Sequence, residues 1–82
     1  MDWIVTLNVI KEKLQSAGYA ESVNRIVEAQ MILGTPGEMF IEVMNELLDL
    51  KNRSVSQYEL IAKEVNELLE YGKSLKYYNP KR

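Results

Sequence analysis

The sequence predicts an all-α fold, a small antiparallel four-helix bundle in which residues 1–82 form one domain. Three observations carry this reading. Apolar residues recur at three- and four-residue spacing along four segments, a glycine or a polar turn separates each segment from the next, and no segment offers another a partner strand. Connections this short favour antiparallel neighbours. No internal repeat, low-complexity tract or sustained heptad pattern interrupts the picture.

The first helix is expected at about 2–17. Trp3, Leu7, Ile10, Leu14 and Ala17 fall on one face, and Gly18 supplies a left-handed stop. Trp3 to Ile10 is also rich in β-branched residues, but a strand there would have nothing to pair with. The second helix, about 20–33, gathers Tyr19, Val23, Ile26, Val27 and Leu33 opposite Glu21, Arg25 and Glu28, and Gly34 closes it. Thr35-Pro36-Gly37-Glu38 then has the form of a capping box with proline at the first helical position. The third helix, about 36–51, carries Met39, Phe40, Val43, Met44, Leu47, Leu48 and Leu50 over more than half its circumference, which predicts a central place. Asn52-Arg53-Ser54 reads as a polar turn. Ser56 and Glu59 have the spacing of a second capping box, with Val55 and Leu60 as a hydrophobic staple. The fourth helix, about 57–76, aligns Tyr58, Ile61, Val65, Leu68, Gly72 and Leu75, and Asn79-Pro80 ends it. Gly72 on the apolar face predicts close approach of a neighbouring backbone.

Composition narrows the chemistry. The 82 residues include no cysteine and no histidine, which removes disulfides, thiolate metal sites and the commonest general base together. Ten Lys plus Arg against twelve Asp plus Glu leave a net charge of −2, too little basic field for nucleic acid or an anionic membrane. That total hides an uneven distribution. Residues 1–25 balance at three acids and three bases, 26–50 carry five acids and no base, and 51–82 carry four acids and seven bases. An acid at position 2 and the early charges Lys11, Glu12 and Lys13 do not suit a secretory signal, and no window approaches a membrane span, so a cytoplasmic location is expected.

The candidate binding surface lies in the acidic middle. Glu38, Glu42, Glu46 and Asp49 follow one another at four, four and three residues, forming a stripe beside the apolar arc with Asn45 alongside. Like charges at this spacing disfavour the helix by a few tenths of a kcal/mol each, roughly, so the pattern invites a partner that neutralises it. Three other places hold chemistry-bearing residues. Glu46-x-x-Asp49 and Glu64-x-x-Glu67 are carboxylate pairs of the kind that hold Mg²⁺ in all-helical nucleotide hydrolases, although their order is reversed here and no basic cluster awaits a phosphate. Lys73, Lys76, Lys81 and Arg82 accompany Tyr77 and Tyr78, a mixture that suits single-stranded nucleic acid but equally a helix C-terminus. Val5 and Val9, opposite the buried stripe of the first helix, with Ile32, and separately Leu60 with Tyr71, are surplus apolar surface.

In size, helicity, acidity and lack of catalytic residues, the chain resembles the small immunity proteins of bacterial toxin–immunity pairs. The run Gly34-Thr35-Pro36-Gly37-Glu38-Met39 looks like the helix start of other small bacterial helical proteins and is a structural signal. The resemblance implies a cytosolic, non-enzymatic protein that needs no cofactor or metal and neutralises a basic, nuclease-like toxin. The resemblance carries over no residues; the acidic stripe supplies the expected partner-binding set, Glu38, Glu42, Asn45, Glu46 and Asp49. A homodimeric adaptor built on Val5 and Val9, and a Mg²⁺-dependent hydrolase built on Glu46, Asp49, Glu64 and Glu67, are the alternatives.

Overall fold

Four amphipathic segments fold onto one apolar interior. The computed structural model describes residues 2–31 and 34–75 and contains α1 (Trp3–Ser16), α2 (Ala20–Gln30), α3 (Pro36–Arg53) and α4 (Val55–Lys73). Backbones approach closely in the pairs α1/α2, α2/α3, α3/α4 and α1/α4, and not across the diagonals. The helices therefore form a closed ring in chain order. Side-chain pairs give their directions. Trp3 and Tyr71 meet the same Phe40 ring, while Lys13 meets Glu64 and Lys51 lies over Tyr58, so α4 runs antiparallel to both α1 and α3.

The interior is built from the stripes that periodicity predicts. Leu7, Ile10 and Leu14 of α1, Ile26 of α2, Phe40, Val43, Met44, Leu47 and Leu50 of α3, and Tyr58, Ile61, Val65 and Leu68 of α4 are all buried. Burying each such side chain contributes about 1.5–3 kcal/mol. Helix α3 supplies the largest share, as its wide apolar arc requires, and Met44 fills core volume while Met39 packs at its margin. Gly72 is also buried within α4. Phe40 is a wedge: Trp3 meets it edge-on at 5.0 Å and Tyr71 at 5.6 Å, which ties three helices together at one end of the bundle.

Each helix boundary has a local cause. The Asp2 carboxylate accepts from the Ile4 amide at the start of α1. At its end, Tyr19 N–H donates to Leu14 and Gly18 N–H to Gln15, with Gly18 at φ +91°, which is the paired hydrogen bonding of a Schellman stop. The Thr35 capping box forms as expected: the Glu38 amide donates to the Thr35 hydroxyl at 3.1 Å, and the Thr35 amide to the Glu38 carboxylate at 2.8 Å. A Cβ on Gly34 would collide with that carboxylate, so glycine here keeps the box closed.

Several boundaries differ from expectation. Helix α2 ends at Gln30, short of 33, because Met31 N–H turns back to Glu28 in a tighter final turn. Its buried line is also rotated: Ser22 lies inside, donating to Gln57 Oε1, while Val27 is 37% exposed. Helix α3 continues through Asn52 and Arg53, so the anticipated three-residue turn contracts to Ser54 alone. Ser54 both ends α3, donating its amide to Leu50, and starts α4, its hydroxyl accepting from the Gln57 amide. The cap of α4 is thus Ser54, two residues before the Ser56–Glu59 box read from the sequence, and Val55 and Leu60 stand exposed instead of forming a staple. Helix α4 ends at Lys73, before 76. Ile32, Leu33 and the tail residues Lys76, Tyr77, Tyr78, Asn79, Pro80, Lys81 and Arg82 lie outside the described residues. Among the described residues no helix is long and apolar enough to cross a membrane.

Because one hydroxyl caps α4, Ser54→Ala is expected to cost about 1 kcal/mol in urea unfolding. Ser56→Ala should change stability by less than about 0.5 kcal/mol. The opposite ranking would move the cap back to Ser56.

Candidate functional site

With Phe40, Val43, Leu47 and Leu50 turned inward, α3 must direct the residues between them outward. Glu42, Asn45 and Asp49 are exposed, Glu38 is exposed at the helix start, and Glu46 is partly covered where α3 meets α2. The stripe read from the sequence therefore exists as a surface feature. Its charges are not all available, however.

Two arginines neutralise one half of it. Arg25 of α2 reaches Glu46 Oε2 at 3.3 Å, and Arg53, at the end of α3, donates to the same oxygen. Arg53 Nε also donates to Asp49 at 2.7 Å. Arg25, Glu46, Arg53 and Asp49 thus form one network across the α2–α3 seam. Glu38 spends one carboxylate oxygen on its own capping box. Among the described residues Glu42 makes no ion pair or side-chain hydrogen bond, and Glu21 and Glu28, exposed one turn to either side of Arg25, make none either. The face keeps an acidic excess, carried by Glu42, which the sequence singles out, and by Glu21 and Glu28, which it does not.

The counter-ions escaped the sequence reading for two reasons. Arg25 comes from another helix, and no local spacing announces a pair across twenty-one residues. Arg53 was legible in principle, since it follows Asp49 by four, the ordinary spacing of a helical ion pair. Ending the third helix at 51 concealed it.

The carboxylates of the hydrolase alternative are not brought together. Glu46 meets Arg25 of α2 and Asp49 pairs with Arg53 of its own helix, whereas Glu64 faces α1, where its Oε2 accepts from Lys13 at 2.7 Å, and Glu67 is exposed. Among the described residues no three acidic side chains converge as a metal site would require. Of the surplus apolar residues, Val5 is 58% exposed, and Leu60 borders a groove with Glu12, Lys13, Ser16 and Ala17. Tyr71 does not join that patch, because its ring packs on Phe40. Compared with known proteins, the chain matches no family model, no curated protein and no solved structure.

Among the described residues, Glu64 is the one charged residue inside the core boundary, 8% exposed, and its buried Oε1 has no hydrogen-bond partner there. Burial pushes its carboxyl upward, but the Lys13 hydrogen bond, a backbone hydrogen bond and the charges of Lys13 and Lys63 together outweigh it and hold the group below the usual glutamate range. The folded-state value is lower than the unfolded one. Its contribution to stability is therefore present above about pH 4.3, the ordinary glutamate value, and is lost as pH falls through the lowered folded value. Lys13→Met removes the hydrogen bond and the nearest charge, leaving burial opposed only by the backbone hydrogen bond and Lys63. Since the Lys13 side chain is 44% exposed, the cost at pH 7 should be only about 1 kcal/mol. It should shrink as pH falls and Glu64 protonates, a narrowing that urea titrations at pH 7 and pH 4 would register. In the α2–α3 network, Glu46→Lys places a third cation between Arg25 and Arg53 and is expected to destabilise by about 1 kcal/mol in the same assay.

Proposed function

We propose that this chain is a non-enzymatic protein-binding module that captures a basic partner protein on the face shared by α2 and α3. Neutralisation of a basic, nuclease-like bacterial toxin, in the manner of an immunity protein, is the setting that suits it best. The observation that carries the reading is the charge of one continuous face. Glu21, Glu28 and Glu42 stand exposed and unpaired among the described residues, while the Arg25–Glu46–Arg53–Asp49 network holds the two helices beneath them in register. A preorganised acidic surface accelerates encounter with a basic protein and disfavours acidic ones by repulsion. The residues placed at the centre of this interface are Glu42, Glu28 and Asn45. Glu46 and Asp49 support it through their arginines.

Testing the reading requires variants that change the face without disturbing its supports. Glu28→Lys combined with Glu42→Lys should leave the urea midpoint nearly unchanged. Association with the basic product of a neighbouring reading frame, followed by stopped-flow fluorescence at low salt, should slow at least tenfold, and the difference should narrow in high salt. Association at the wild-type rate would overturn the proposal.

A further inference from the structure

The seam between α1 and α4 lies opposite the α2–α3 seam in the ring of helices. Glu12, Lys13, Ser16 and Ala17 of α1 and Leu60 of α4 line an open, mostly apolar groove of about 570 Å³ there, and Leu60 is 44% exposed. The Lys13–Glu64 contact fixes the register of this antiparallel pair. Leu60, four residues before Glu64, is therefore level with Ala17, four after Lys13. By the same count Lys63 is level with Leu14, two residues or about 3 Å of rise from Glu12. Lys63 follows Leu60 by three and so lies on the same side of α4. Lys13 is committed to Glu64, whereas Glu12 and Lys63, both exposed, make no ion pair or side-chain hydrogen bond among the described residues.

We propose that a second copy of this chain docks on this face, about a two-fold axis parallel to the helices. Such an axis sets α1 of each copy over α4 of the other at equal height. The partner subunit's Leu60 then enters the groove beside Ser16 and Ala17, and the partner subunit's Lys63 meets Glu12. Each contact occurs twice, as an isologous interface requires. Charge selects the occupant. The two unpaired charges beside the groove have opposite signs, so the face complements itself. The α2–α3 face, whose unpaired Glu21, Glu28 and Glu42 are all acidic, repels its own copy. Glu67, the next exposed charge along α4, lies a turn past Lys63 and away from the groove. Val5 and Val9 share the i, i+4 row of Lys13 and continue the apolar surface along α1. Size also suits, since a bundle of 34 × 23 × 23 Å offers a long face of the order of the ~800 Å² per partner that a standard interface covers. Docking here leaves the acidic α2–α3 face free on the far side of each subunit and stands independently of its role.

Sedimentation equilibrium of the full chain should show a monomer–dimer equilibrium. Glu12→Lys and Lys63→Glu should each weaken association at least about tenfold, because each sets like charges together twice. The double exchange re-forms both pairs and should return association to within about threefold of wild type. Leu60→Ser should weaken it at least about fivefold, with the urea midpoint of this exposed-site variant close to wild type. A chain that stays monomeric at millimolar concentration overturns the proposal. So does a dimer indifferent to Leu60→Ser and to both single charge reversals, or a double exchange that associates no better than either single variant.

Discussion

Phe40 is wholly buried, and both its neighbours in the aromatic cluster come from other helices: Trp3 from the start of α1 and Tyr71 from the end of α4. Everything about the orientation of α3 depends on that ring pointing inward. Once it does, the 3.6-residue period places Val43, Leu47 and Leu50 beside it and turns Glu42, Asn45 and Asp49 to the surface. Glu46 falls between these two sets, at the border with α2, which is why it meets arginines from two directions. The acidic face is in this sense the reverse side of the aromatic wedge, and its position follows from packing.

The electrostatics of the bundle show how packing alters charges that look free in one dimension. Five acids without a base between residues 26 and 50 describe a strongly negative segment in the chain. Folding brings Arg25 beside it, and the extension of α3 to Arg53 supplies a second cation, so half of the segment becomes a paired network. The reverse happens at Glu64. It looks like one of several surface acids on α4, yet it lies at the α1 contact and keeps its charge because Lys13 reaches it. A carboxylate in that position with no cation would be more stable protonated.

Much of the fold was legible because its signals are local. The apolar stripes of α1, α3 and α4, the Gly18 stop and the Thr35–Glu38 box each lie within a few residues, and these form in the main as read. The boundaries that shifted are those where two local signals competed. Ser54 with Gln57 and Ser56 with Glu59 both match a capping pattern, and the choice between them depends on where α3 leaves off, which tertiary contacts decide. The placement of Ser22 inside and Val27 outside was likewise hidden, since a serine enters the interior only when a partner such as Gln57 waits there. Of the acidic stripe, the line was readable and the pairing was not: charges compensate in three dimensions, and Arg25 gives no sign in its own neighbourhood of reaching α3.

The junction at Ser54 leaves α3 and α4 without slack. An α-helix advances 100° per residue, so one amino acid inserted in the first turn of α4 would swing the rest of that helix by more than a quarter turn relative to α3. Tyr58, Ile61, Val65 and Leu68 would leave the interior together, and Glu64 would part from Lys13 in the same movement. The turn at Ala17–Tyr19 is held on both sides, its amides donating to carbonyls of α1's last turn and the Tyr19 carbonyl accepting from Val23 at the start of α2. Length change is therefore tolerated least inside α4, where the phase of its buried face and the reach of Lys13 to Glu64 would be lost together.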